Sequence, residues 1–205
     1  MMAVIVKGKG VAKDVKQRMV ETAAFAIARK GLQGASFSEV LAASGAPRGS
    51  LYHHFPEGKD QLVAAAVDLA GSVLIDFMDR CAGKPAEDVV LHFLTLWRAV
   101  LMRSECESGC AVLAVTVATD STELLAHATA VFRAWRERLT ELLKQGGLPA
   151  ESARRFAMVM IASAEGAVVL SRADQSLEAF EVVAEQLVGE IRRLQSGVAT
   201  REGQG

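Results

Sequence analysis

The chain has 205 residues, of which 51% are hydrophobic and 23% are charged, and its formal net charge is −1. A chain with this much apolar content and so little net charge is not disordered. Its length allows one large or two small domains with a sizeable core. Aromatic residues make up only 5% and there are only four prolines, which favours helices over a β-sandwich or barrel. The overall charge gives no indication of a nucleic-acid partner.

The cellular compartment is indicated by the cysteines and by the apolar runs. Three cysteines do not form a disulfide framework, and no signal peptide is recognisable. The longest nearly uncharged run, residues 156–171, contains Glu165 and is shorter than the ~20 residues that span a membrane. We therefore expect a cytoplasmic protein with reduced thiols and no membrane association.

Apolar residues recur at helical spacing along almost the whole chain and predict an all-α fold of about nine helices. The first helix, about 13–30, places Val20, Ala23 and Ile27 on one face and ends at Gly31. After a short second helix, the others are expected at about 48–54, 58–82, 86–103, 109–118, 120–145, 150–171 and 175–195, with a frayed tail from residue 196.

The first 55 residues differ from the rest of the chain in charge and in pattern. They hold eight basic and three acidic side chains, a net of +5, whereas residues 56–205 hold 15 basic and 21 acidic ones, a net of −6. Ser36 and Glu39 form a capping box for the second helix, which the Gly45 to Pro47 turn must end. Two short helices joined by a tight turn after a longer helix are typical of a helix-turn-helix head, in which the last helix enters a DNA major groove.

The stretch from Ala35 to Phe55, with the following 58–62, closely resembles the TetR family of bacterial transcriptional regulators. The features that carry the resemblance are a small-residue turn, a Gly-Ser-Leu-Tyr-His-His-Phe recognition helix and Lys59-Asp60 ahead of a long helix. The run that begins at Gly109 and Cys110 is similar to one in the LmrA/YxaF-like branch. The resemblance implies a DNA-binding domain at 1–57, a ligand-binding and dimerisation domain at 58–196 and a flexible tail at 197–205.

The chemistry of the head fits this role, and Leu51 and Phe55, four residues apart, should face the core and anchor the last helix of the head. Small residues let the helix backbone approach the groove, an arginine can read guanine, and hydroxyl and imidazole groups can donate to phosphates. Lys59 lies at the start of a helix, where free N–H groups favour a phosphate. The residues expected to bind DNA are Lys13, Ser36, Ser38, Ala46, Pro47, Arg48, Gly49, Ser50, Tyr52, His53, His54 and Lys59.

Dimerisation is indicated by the last two predicted helices. The eighth is apolar on nearly every face, so it needs more cover than one subunit provides, and the ninth carries a narrow apolar stripe. Two such helices from each subunit would pair across a two-fold axis. The residues expected in this interface are Val159, Ala162, Glu165, Gly166, Val169, Phe180, Ala184, Leu187 and Ile191.

A ligand cavity is expected among helices four to eight, where aromatic and methionine side chains concentrate. The ligand implied is a small hydrophobic or aromatic molecule. The expected lining residues are Leu74, Phe77, Met78, Phe93, Trp97, Leu101, Cys110, Leu113, Phe132, Trp135, Met158 and Ile161.

The function that these patterns favour is a ligand-responsive repressor, which binds a pseudo-palindromic double-stranded operator as a homodimer and is released by its ligand. We expect no enzyme, because no Gly-rich phosphate loop, nucleophile elbow or metal signature is found in the sequence; no cofactor or metal is expected either. Two alternatives remain open: a thiol-based redox-sensing regulator that uses Cys106 and Cys110, and a helical small-molecule-binding protein without DNA binding.

Overall fold

The computed structural model describes residues 14–34 and 36–202, except for the side chains of Arg48 and of residues 197–202. Within these ranges the chain forms nine α-helices, one 3-10 turn at Leu32–Gly34 and no strand, as the periodicity predicted. The helices are α1 Val15–Lys30, α2 Phe37–Ser44, α3 Arg48–His54, α4 Lys59–Asp79, α5 Ala86–Arg103, α6 Ala111–Ala118, α7 Thr122–Gln145, α8 Ala150–Asp174 and α9 Glu178–Glu202.

Several helix ends differ from the prediction by two or three residues, and the end of α9 differs by more. α4 ends at Asp79 instead of about residue 82, because successive turns follow it up to Gly83. α9 continues past the predicted end at residue 195 to Glu202, because no proline stops it and a single Gly197 costs a helix only about 1 kcal/mol. Residues 197–202 of the predicted flexible tail are therefore helical.

The chain divides into two compact units, and the division falls within α4 and α7. Unit 1 comprises the described residues up to Val73 together with Ser108–Phe132. Unit 2 comprises Leu74–Glu107 and the described residues from Arg133 onward. The domain boundary that we expect after residue 57 separates a DNA-binding part from a ligand-binding part. It is a boundary of function, whereas the two units are defined by packing, and it stays a prediction.

Unit 1 is built around α1. Its buried stripe includes Met19, Ala23 and Ile27, and the helix packs against α2, α6 and the 3-10 turn. The backbone N–H of Gly109 donates to the carbonyl of Ala28 at 2.8 Å, which ties the start of α6 to α1. This apolar core therefore holds unit 1 together, and unit 1 contains the predicted DNA-binding residues.

Unit 2 is a bundle in which α5, α8 and α9 pack against one another. Arg98 on α5 donates two hydrogen bonds of 2.6 Å to Glu181 on α9, and these bonds lower the pKa of the Glu181 carboxyl below its ordinary value. Eleven residues before Arg98 along α5, Glu87 accepts from Arg192 of α9 at 2.7 Å. The two ion pairs hold α9 antiparallel to α5.

α4 and α8 are long and apolar enough to cross a membrane by length and composition. About half of the most apolar stretch of each helix is buried inside the protein. Burial of this kind is typical of helices that pack into the core of a folded domain.

Candidate nucleic-acid interface

The turn between α2 and α3 is fixed by Gly45. This residue has φ +67°, in the left-handed region that glycine adopts without strain, and its N–H donates to the Leu41 carbonyl at 3.1 Å. Ala46 and Pro47 follow, and Pro47 precedes the first residue of α3. The turn therefore has the sharp geometry that a helix-turn-helix requires.

Leu51 and Phe55 hold α3 on unit 1, as their spacing of four predicted. Both side chains are almost fully buried, and so is Val40 of α2. On the outer side, the rings of Phe37 and Tyr52 meet edge to face with centroids 6.1 Å apart, which links α2 to α3. One side of α3 is thus committed to packing, and its other side is available for a partner.

The outer side of α3 carries the polar groups expected to contact DNA. Tyr52 is 70% exposed, and Gly49 and His53 are also exposed. His54 is half-buried, and its ring meets that of His53 edge to face at 5.0 Å between centroids. Half-buried Ser50 donates its hydroxyl proton to the Pro47 carbonyl at 2.6 Å. Three aromatic rings with polar tips are therefore grouped at one helix end.

The start of α2 is capped as predicted. Ser36 Oγ accepts from the Glu39 N–H at 3.3 Å and donates to the Glu39 carboxylate at 2.8 Å. These bonds, together with an ion pair of 3.2 Å to Lys30, lower the pKa of Glu39. The Ser36 hydroxyl is thus engaged within the cap, whereas the neighbouring Ser38 is exposed.

The remaining head residues are placed as follows. Half-buried Lys59 is the first residue of α4, Ala46 is half-buried and Pro47 is exposed. Lys13 and the side chain of Arg48 lie outside the described residues. Lys16 of α1, whose place in the basic N-terminal segment suggests contact with the DNA backbone, lies with its Nζ 5.7 Å above the Phe55 ring.

The structure divides the expected ligand-lining residues between the two units. Cys110 (buried), Leu113 and Phe132 (both half-buried) belong to unit 1, and the other nine belong to unit 2. Met158 is 46% exposed on the outside of α8, where Arg136 donates to its sulfur at 3.7 Å, so it does not line the interior of its unit. Of the other expected lining residues of unit 2, Phe77 is half-buried and the following are buried: Leu74, Met78, Phe93, Trp97, Leu101, Trp135 and Ile161.

The cysteines of the redox alternative are buried and reduced. Cys106 is 5% and Cys110 is 4% exposed. Cys110 is the N-cap of α6, and its sulfur accepts from the Leu113 N–H at 3.4 Å. Burial of both thiols is typical of cysteines that pack as small hydrophobic side chains.

The residues expected at a dimer interface fall into two groups. Val159, Ala162, Gly166 and Val169 form an exposed stripe along α8, which we call the α8 stripe. Sequence analysis did not include Leu170, which is 54% exposed beside the stripe. The others are buried within their own chain and offer no surface to a partner: Glu165, Phe180, Ala184, Leu187 and Ile191.

Known proteins resemble this chain over both of its parts. Residues 20–66 match the family model described as "Bacterial regulatory proteins, tetR family", and residues 85–186 match "Transcriptional regulator LmrA/YxaF-like, C-terminal domain". An uncharacterized HTH-type transcriptional regulator of Mycobacterium tuberculosis is 31% identical over 84% of this chain and 91% of its own length. The HTH-type transcriptional regulator LmrA of Bacillus subtilis is 28% identical over 77% of this chain and 86% of its own.

A solved structure has the same fold. The TetR transcriptional regulator from Chloroflexus aurantiacus superposes with a TM-score of 0.69 at 28% identity, covering 87% of this chain and 94% of that one. The head geometry and these relatives define a helix-turn-helix transcriptional regulator, a class of DNA-binding proteins and not of enzymes. The chain belongs to the TetR family, and its C-terminal part is of the LmrA/YxaF-like type.

Proposed function

We propose that the chain is a cytoplasmic repressor, which binds a pseudo-palindromic operator as a homodimer and releases it when a small hydrophobic or aromatic ligand binds. The observation that carries the proposal is the two-sided α3. Leu51 and Phe55 hold the helix on the core, and Tyr52, His53 and Gly49 face outward. A rigidly held helix with an exposed polar side is what a major-groove reader needs.

The contacts to DNA follow from the chemistry of these groups. Tyr52, His53 and His54 donate to phosphate oxygens, which fixes the position of α3 on the duplex. Arg48, at the start of α3, reads a guanine through its O6 and N7 acceptors. Lys59 and the N–H groups at the start of α4 bind a further phosphate. Lys13, Ser36, Ser38, Ala46, Pro47 and Ser50 complete the proposed DNA-binding set.

The homodimer is supported by the exposed apolar surface of α8. Val159 and Val169 are 51% and 50% exposed, and Leu170 lies beside them. A groove of about 450 Å³ adjoins the stripe, with the apolar Phe156, Val159 and Leu194 in its lining beside the polar Glu151, Ser152, Arg155 and Glu190. We propose that the α8 stripe meets its own copy across a two-fold axis, since a single stripe can serve both sides of such an interface.

Release by a ligand requires that the ligand distinguish two states of the dimer. In one of these states the spacing of the two heads does not suit the operator. A ligand with higher affinity for that state shifts the population toward it, and the size of the shift is limited by the ratio of the ligand's affinities for the two states. We propose that the apolar interior of unit 2 takes part in ligand binding. The contributions of Cys110, Leu113 and Phe132 of unit 1 stay predictions.

The test of DNA recognition is a Tyr52→Ala variant. Gel-shift titration on sites selected from random duplex DNA should show an affinity at least roughly tenfold lower, the usual effect of losing a hydrogen bond to a charged group. Leu91→Ala removes a side chain that is 43% exposed on α5 and serves as the matched control with unchanged affinity. Equal affinities of Tyr52→Ala and wild type, with the dimer intact, would refute the proposed interface.

A further inference from the structure

The interior of unit 2 contains a hydrogen-bond donor that has no acceptor. Trp97 on α5 is 1% exposed, and its indole Nε1 has no hydrogen-bond partner among the described residues. The indole nitrogen is a donor only and is fixed in a rigid ring, so it cannot turn to another partner as a hydroxyl can. Buried tryptophans usually place this group against an acceptor.

A second buried atom in unit 2 without a partner, Ser171 Oγ, is of a different kind. It is a hydroxyl in the last turn of α8, and rotation about one bond brings it to the carbonyls of its own helix. Trp135 is as deeply buried as Trp97 but does not have an unpartnered nitrogen. Trp97 is therefore the rigid buried donor of unit 2 that has no acceptor among the described residues.

The position of Trp97 on α5 directs it into the interior of unit 2. His92 faces α4, because its ring stacks on Phe77 at 4.0 Å between centroids and its Nε2 lies 2.9 Å from the Phe77 carbonyl. Arg98 faces α9 through Glu181. At 100° per residue, Trp97 lies about 140° from His92 and about 100° from Arg98 around the helix, so it points away from both, on the side of α5 where Phe93 and Leu101 are buried.

The buried polar residues of the described chain restrict the chemistry of the acceptor. Within the described chain, the buried polar or charged residues are Ser108, Glu165 and Ser171, and none of them is basic. An anion would lose its hydration on entry and find no buried cation to replace it. A neutral oxygen, as in a ketone or an ether, accepts a hydrogen bond without this loss.

We propose that the ligand of this protein is an uncharged, mostly apolar molecule with a carbonyl or ether oxygen, and that Trp97 Nε1 donates to this oxygen. This inference rests on the proposed ligand-responsive function, which it deepens by naming the ligand's chemical class. Trp97 then determines specificity: a molecule of the same shape without the oxygen leaves the donor unpaired. The discrimination expected from one such buried group is about tenfold or more.

The test compares probe pairs in which a carbonyl oxygen is replaced by a methylene of similar shape. The pairs are acetophenone with α-methylstyrene, acetylnaphthalene with isopropenylnaphthalene, and benzophenone with diphenylethylene. Calorimetric titration of the wild-type protein should show at least one ketone binding about tenfold more tightly than its alkene. Equal binding within every pair, or no binding by any ketone up to its solubility limit, overturns the inference.

Two variants identify the donor. Trp97→Phe should bind a ketone and its alkene equally, whereas Trp135→Phe, the matched control, should keep the preference of the wild type. A proton–nitrogen correlation spectrum of the two indole groups gives a readout that needs no variant to fold. The Trp97 N–H resonance should move to the range of hydrogen-bonded indoles when the preferred ketone is added, and a resonance already in that range without ketone contradicts the inference.

The outcome for the ligand is separable from the outcome for DNA. Ketone binding is measured without DNA, and operator binding is measured without ketone. A ketone that binds through Trp97 but leaves operator affinity unchanged supports the inference and refutes ligand-responsive repression by that compound. If the protein binds its operator but prefers no ketone over its alkene, the inference about the ligand is refuted and the proposed DNA binding is not.

Discussion

Gly49 is the second residue of α3, where alanine would make a more stable helix. A Cβ atom built on Gly49 meets no atom of the chain within 4 Å, and its φ is not in the left-handed region. Neither packing within the chain nor backbone conformation therefore requires glycine at this position. We propose that the reason is close approach of the helix to a DNA backbone or groove floor, where any side chain would stand between them.

The variant Gly49→Ala should separate stability from DNA binding. The free energy of unfolding should rise by a few tenths to about 1 kcal/mol, because alanine is the better helix former. Operator affinity should fall roughly tenfold, as expected for a misplaced methyl group in a close contact. Chemical denaturation and gel-shift titration measure the two quantities on the same preparation.

The gain in stability is the internal control, since it shows that the variant folds. An unchanged operator affinity would mean that DNA does not approach Gly49, and it would move the proposed contact surface to the rest of α3.

Sequence could predict a residue's environment where one helix decides it. The spacing of four between Leu51 and Phe55 predicted their burial, and both are buried. It could not predict that Trp97 has an unpartnered nitrogen or that Met158 points outward. These properties depend on which neighbouring helix faces each side chain, and that information is absent from the periodicity of one helix.

At the scale of whole helices, too, the sequence predicts the element but not the neighbour against which it packs. The existence and order of all nine described helices followed from apolar spacing, and Gly45 and the Ser36–Glu39 cap fixed the ends of α2. The stripe on α9 was also recognised, but we expected a partner subunit to cover it. In the structure Phe180 and Ile191 are fully buried within their own chain, where α9 packs on α5 and α8. A periodic stripe shows that a face is covered without showing by what.

The α8 stripe gives the clearest test of the proposed interface. Gly166 lies within α8, and a Cβ atom on it meets no atom of the chain within 4 Å. We expect Gly166→Leu to lower the dimer fraction, because a large side chain would keep two copies of the stripe apart. Sedimentation velocity over a range of concentrations measures this fraction.

Gly189→Leu is the matched control for this experiment. Gly189 also lies within a helix and its Cβ would also meet nothing, but it faces the groove between α5 and α9. The control should dimerise as the wild type does. Unaltered dimerisation of Gly166→Leu would place the interface elsewhere.

The whole chain combines a basic head with an acidic body. The net charge of −1 is the sum of +5 over residues 1–55 and −6 over residues 56–205, so the overall value conceals a segment suited to phosphates. The family membership joins this head to an LmrA/YxaF-like C-terminal part. The proposed function therefore requires one molecule to bind DNA, to pair with its copy and to respond to a ligand.

Selection of bound sites from random duplex DNA tests the central claim most directly, because the shape of the enriched site reports on the head and the dimer together. A homodimer with one recognition helix per subunit should enrich two inverted copies of a half-site, with centres about one helical turn, ~34–36 Å, apart. Enrichment of a single asymmetric half-site would contradict the proposed dimer, and no enrichment over the starting pool would contradict operator recognition itself.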